Sequence, residues 1–155
     1  METKSRLESA CYHVKKALIE TLNESWDKGD PFVPSEFDSF PRGACEVTSL
    51  WLGKMLMEIG FQDIHVCNGS HRKPTGGSAN NHVWLFVNSK FYVDITGNQF
   101  KECGQEIVVS NEIPKYLSNY FPFTKTPLEK YLAVCLTDNN YVELEAAFRT
   151  TLEQP

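Results

Sequence analysis

The chain of 155 residues lacks the runs and motifs that define several large functional classes. No apolar stretch approaches the roughly 20 residues that span a bilayer, and none near the N-terminus resembles a signal peptide. The opening Met1, Glu2, Thr3, Lys4, Ser5 and Arg6 is polar and charged, which predicts a cytoplasmic protein with no membrane partner. Lysine and arginine are outnumbered by aspartate and glutamate, 15 to 20, so no electrostatic footprint for a nucleic acid is present. A Gly-x-x-x-x-Gly-Lys-Ser/Thr phosphate loop is missing, which excludes nucleotide binding of that kind. Cys-x-x-Cys pairs are missing too. The five cysteines, Cys11, Cys45, Cys67, Cys103 and Cys135, are odd in number and scattered, which argues against a disulfide framework and a structural zinc site. Internal repeats and low-complexity tracts are likewise absent.

What is present reads as one globular domain over residues 1–155, long enough to bury a core. Residues 5–24 carry Leu7, Cys11, Val14, Leu18 and Leu22 at helical spacing. Residues 27–42 hold three prolines and several aromatics, the signature of an ordered arm. A second helix is predicted from about Ala44 to Ile59, with Val47, Leu50, Trp51, Met55 and Ile59 as its buried stripe and Gly60 as its stop. Ile64, His65 and Val66 alternate as a short strand. Residues 68–81, rich in glycine and asparagine, read as a mobile loop suited to a substrate lid. Strands follow at about 82–87 and 91–96, joined by Asn88, Ser89 and Lys90, with another at Ile107, Val108 and Val109. Residues 113–131, broken by Pro114, Pro122 and Pro127, read as irregular. A last helix is predicted near 140–152, with Tyr141, Leu144, Phe148 and Leu152 on one face.

Three residues in this frame carry chemistry. Cys45 stands where the second helix begins, His82 opens one strand, and Asp94 lies in the next. A thiol nucleophile, a base and a carboxylate that orients the base make a triad. The helix N-terminus and a neighbouring imidazolium both favour a thiolate. Strand geometry supplies a test. With a three-residue hairpin loop, Val87 pairs with Phe91 and Asp94 falls opposite Trp84, diagonal to His82 on the same face. A two-residue loop would turn Asp94 to the other face. The other four cysteines read as small hydrophobes or bystanders.

These segments resemble the papain-like cysteine protease superfamily in its transglutaminase-like branch. The likeness rests on Arg42, Gly43, Ala44 and Cys45 leading to Gly60, on the run from His82 to Val87, and on Val93, Asp94, Ile95 and Thr96. The stretch from Asp94 through Thr96, Gly97, Asn98 and Gln99 to Phe100 is similar to a segment of small, mostly uncharacterised bacterial members. The resemblance implies an α+β fold: an antiparallel sheet with the nucleophile-bearing helix packed on it and flanking N- and C-terminal helices. It also implies Cys45 as nucleophile, His82 as base and Asp94 as orienter. Papain-type proteases place a glutamine shortly before the cysteine as an oxyanion donor, and this chain has none before Gln62. That leaves Ala44, Asn80, Asn81, Trp84 or the 27–42 arm as candidates for the oxyanion or substrate contacts. The chain is also much shorter than the arylamine N-acetyltransferases of that branch.

The expectation is therefore a cysteine-dependent acyl-transfer enzyme that hydrolyses an amide of a peptide or protein, as a peptidase or glutamine deamidase, with no cofactor and no metal. Resolution of the thioester by an amine would make it a transglutaminase instead. The rival is a catalytically inactive protein-binding module, of immunity or adaptor type, on the same fold. Phe32, Phe37 and Phe40, or the segment from Tyr116 to Phe123, would then form the partner surface. A metal site from His65, Cys67, His71 and His82 lacks any recognised ligand spacing. Oligomeric state leaves no mark on the sequence.

Overall fold

The computed structural model describes residues 2–30, 33–71, 80–120, 122–133 and 139–154. Helix α1 (Thr3–Asp27) buries the anticipated stripe, with Leu7, Cys11, Val14, Leu18 and Leu22 all within the core. Helix α2 (Cys45–Glu58) departs from its predicted stripe. Val47, Leu50 and Trp51 are buried and Met55 partly so, but Ile59 ends the helix 48% exposed, while Leu52 and Leu56 are fully covered. The reason is that α2 touches the sheet, α1 and the short helix α3 (Leu128–Leu132) together. A helix covered from several directions no longer shows a single apolar stripe.

Five antiparallel strands form the sheet: β1 (Ile64–His71), β2 (Asn80–Val87), β3 (Phe91–Asp94), β4 (Val108–Ser110) and β5 (Phe123–Pro127), in the order β4-β3-β2-β1-β5. Helix α4 (Asn139–Glu153) packs against α1. This is the α+β architecture that the resemblance implied, with the Cys45 helix on the sheet and helices from both ends of the chain flanking it.

Three sequence expectations are corrected here. β1 runs well past Val66, and residues 68–71 and 80–81 of the supposed loop are strand, paired from Asn68↔Val83 to His71↔Asn80. Polar side chains conceal the strand because backbone pairing, not apolar alternation, holds these residues in place. Only residues 72–79 of that loop lie outside the described residues. The stretch 113–131, read as irregular, contains a 3-10 segment (Lys115–Tyr120), then β5 and α3. Its prolines punctuate these elements: Pro114 and Pro122 precede two of them, and Pro127 ends β5, which among the described residues is an edge strand paired with β1. The suggested partner surfaces are also largely internal. Phe37 is fully buried and stacks on Trp51, which stacks on Phe148 of α4, with ring centroids 5.8 and 5.6 Å apart. Tyr116, Leu117 and Tyr120 pack with Cys67 and Trp84 in a second cluster. Phe32 lies outside the described residues.

The sheet therefore has two buried faces. Val83, Leu85 and Val87 join Ile64, Val66 and Val93 in the main core beneath α1 and α2. Their neighbours on the other face pack in the second cluster, and this separation places the candidate site. Among the described residues, no helix is long and apolar enough to cross a membrane.

Candidate active site

The β2–β3 hairpin has the three-residue loop that the triad requires. Leu85↔Val93, Phe86↔Tyr92 and Val87↔Phe91 are paired, with Asn88 and Ser89 in left-handed conformations. One further step in that register sets Asp94 across from Trp84 and diagonal to His82. The two side chains meet: His82 Nε2 lies 2.7 Å from Asp94 Oδ2, and both residues are at most 1% exposed.

Cys45 completes the arrangement from α2. Ala44 is the N-cap, buried, and Cys45 is the first helical residue, partly exposed, with its backbone N–H among those of the first turn that have no intrahelical acceptor. Gly43 enters the helix at φ +80°, and a Cβ there would meet the Glu36 carbonyl at 3.3 Å, so the approach to Cys45 needs glycine. Cys45 lies near enough to the His82 ring to help raise its pKa. Since Nε2 is turned to Asp94, Nδ1 is the nitrogen left for the thiol.

The electrostatics are those of a committed ion-pair site. Burial works against a charge on His82, but the Asp94 carboxylate and then Cys45 outweigh it and raise the imidazole from 6.5 to about 9. Burial works against charge on Asp94 too, and His82, Tyr116 and Thr96 overcome it, holding the carboxyl below its ordinary value. Every oxygen of that carboxylate is occupied. Oδ1 accepts the Thr96 N–H at 2.9 Å and the Thr96 hydroxyl at 3.2 Å, and Oδ2 accepts the Tyr116 hydroxyl at 2.7 Å. Burial, then the nearby carboxylate, pushes Tyr116 far above the usual tyrosine range, so it remains a neutral donor.

Two neighbours were not singled out from sequence. Tyr116 follows Asp94 by 22 residues in a stretch that reads as loop, so nothing local could reveal it. Gln99 lies inside the 94–100 segment, after Asp94 rather than before the cysteine, where papain-type proteases place a glutamine. Its side-chain amide donates to the Thr96 carbonyl at 3.0 Å and lies 3.4 Å from His82 Nδ1, on the thiol side of the ring. Gly97 makes the cluster possible. A Cβ there would stand 2.6 Å from the Tyr116 hydroxyl, 3.0 Å from Asp94 Oδ2 and 3.0 Å from Cys103 Sγ. Cys103, read as a loop bystander, is thus a neighbour of the site, and its thiol donates to the Gln105 carbonyl at 3.3 Å.

The other anticipated contacts fall as follows. Asn81 is exposed, and its Oδ1 accepts the Ser70 hydroxyl at 2.7 Å. Asn80 belongs to β2, and its side chain lies outside the described residues. Trp84 is fully buried, its ring 5.8 Å from that of His82 and inclined by 26°; Phe100 meets the same imidazole edge-on at 4.8 Å. Among the described residues, no three of the His, Cys, Asp and Glu side chains are grouped to hold a metal ion.

No protein-family model and no curated protein matches the chain. Among solved structures, the catalytic domain of the Salmonella virulence factor SseI is similar over 84% of this chain and 76% of that one, at 19% identity and a TM-score of 0.42. This is a distant likeness that leaves the chemistry to be argued from the chain's own residues.

Proposed function

We propose that the protein is a cysteine-dependent enzyme that hydrolyses an amide bond of a peptide or protein through a Cys45-His82-Asp94 triad. One observation carries the reading: the imidazole of His82 is held at Nε2 by a buried, fully bonded carboxylate, with Cys45 at the start of α2 near enough to shift its pKa. A structural histidine needs no such partner on both nitrogens.

The steps follow from these positions. With His82 carrying its proton, the Cys45 sulfur attacks the amide carbonyl carbon as the thiolate of a pair with the imidazolium. The oxyanion that forms is met by the Cys45 backbone N–H and by the Gln99 side-chain amide, which stands on the same side of the ring. His82 then passes its proton to the departing nitrogen, the C–N bond breaks, and a thioester to Cys45 remains. Water, deprotonated by His82, attacks the thioester and releases a carboxylic acid and the free thiol. Asp94 keeps its charge throughout and holds the imidazole orientation. The leaving group is an amine for a backbone amide and ammonia for a glutamine side chain.

Burial raises the thiols of Cys11, Cys67 (to about 12) and Cys103, which supplies an internal comparison. At neutral pH, iodoacetamide is expected to alkylate Cys45 faster than these three, and His82→Ala to remove the advantage, read by mass spectrometry of each cysteine. A Cys45 no faster than Cys67 would defeat the reading and favour the binding-module alternative.

A further inference from the structure

Lysine 15 sits on the buried face of α1, between Cys11 and Leu18 in the apolar stripe, and is only 4% exposed. A leucine or methionine would serve helix packing better, since a buried ammonium loses its hydration. Among the described residues, no carboxylate lies within ion-pair distance of it. Its Nζ instead donates to two neutral oxygens far away in sequence: Asn98 Oδ1 at 2.9 Å and the Glu106 carbonyl at 2.6 Å. Both acceptors flank Asp94. Asn98 lies in the 3-10 turn Gly97–Gln99, beside the Gln99 amide that stands against His82. Glu106 stands two residues before Val108, the β4 residue paired with Asp94.

Building on the amide-hydrolysis reading above, we infer that Lys15 is a positioning residue for the candidate triad: its ammonium ties the Gln99 turn and the entry to β4 onto α1, and so holds the segment from Asp94 to Gln99 in register with His82. Burial lowers the lysine's pKa, partly countered by Glu106 and Asp94, consistent with a cation retained at a cost. The role is indirect, because Lys15 has no contact with the thiol or the imidazole among its hydrogen bonds.

The test is the rate of Cys45 alkylation by iodoacetamide against pH, in the full chain, for wild type, Lys15→Met, Asn98→Ala and the double variant, each checked for cooperative thermal unfolding. Lys15→Met is expected to slow Cys45 about tenfold at neutral pH and to displace its pH profile, since small misplacements of reacting groups have large kinetic effects. Asn98→Ala should act in the same direction, and the double variant should be no slower than Lys15→Met alone, because Lys15→Met already removes the tie to Asn98. A folded Lys15→Met with the wild-type rate and profile overturns the inference, as do effects that multiply in the double variant. If Lys15→Met does not fold, Asn98→Ala decides by the same criterion. Wild-type Cys45 reacting no faster than Cys67 is a different result: it defeats the amide-hydrolysis reading itself.

Discussion

Tyr116 shows how one hydroxyl outside the candidate triad can matter to it. It donates to Asp94 Oδ2, the same oxygen that receives His82 Nε2. Replacing Tyr116 by phenylalanine keeps the ring in the second cluster and removes that donor from a buried carboxylate. Hydrogen bonds to charged groups contribute about 1.5–3 kcal/mol, so the Tyr116→Phe protein is expected to lose that much stability in urea unfolding. Its Asp94 carboxyl should also titrate at higher pH than in wild type, because a donor that favours the charged form is gone. An unchanged carboxyl titration by NMR would show that the hydroxyl is dispensable. Gln99 makes a related point about neighbours in sequence. It lies five residues after Asp94, yet its relevance comes from the 3-10 turn Gly97–Gln99, which folds its amide back toward the imidazole.

The β2–β3 hairpin is the element on which the candidate triad depends. Its three-residue loop decides which face of the sheet Asp94 occupies. Deleting Ser89 would leave two loop residues, shift the pairing by one and turn Asp94 toward α2, burying a carboxylate among apolar side chains. The expected outcome is a destabilised protein whose Cys45 has lost its excess reactivity toward iodoacetamide; retained reactivity would mean that the hairpin re-forms its register by another route. Helix α2 is the other essential element, and its start is more heavily braced than its sequence suggests. The Tyr131 hydroxyl of α3 donates to Glu46, next to Cys45, at 2.7 Å, and Tyr141 of α4 donates to Glu36 in the arm. These ties come from the C-terminal third of the chain, so the placement of Cys45 depends on helices that carry none of the candidate triad.

For the molecule as a whole, the buried imidazole couples stability to pH. His82 has a folded pKa of about 9 against an ordinary 6.5, so between these values the folded state holds a proton that the unfolded state releases. Stability from this group is therefore complete below pH 6.5 and is lost as pH rises toward 9. Above 9, the raised Cys67 thiol continues the same trend toward its value of about 12. The expected signature is a Tm that falls between pH 6.5 and 9 in wild type and stays level over that window in His82→Gln, measured by calorimetry. A wild-type Tm that stays level over that window would show that the folded ring holds no extra proton there.

Much of this was legible from residue order alone. The α1 stripe, the start of α2 at Cys45 and the hairpin register are local properties, governed by helical spacing, the Gly43 entry and a three-residue loop between two apolar runs. The meeting of His82 and Asp94 followed from strand alternation, which needs no knowledge of the rest of the fold. Other features depend on parts of the chain distant in sequence. The polar ends of β1 and β2 are strands because they pair with each other, and β5 exists because β1 offers it an edge. Tyr116 reaches Asp94, and Lys15 reaches Asn98 and Glu106, only after the sheet has brought segments 22 to 91 residues apart together. Periodicity reports the face a residue presents, whereas the partner it finds there depends on how those faces are stacked.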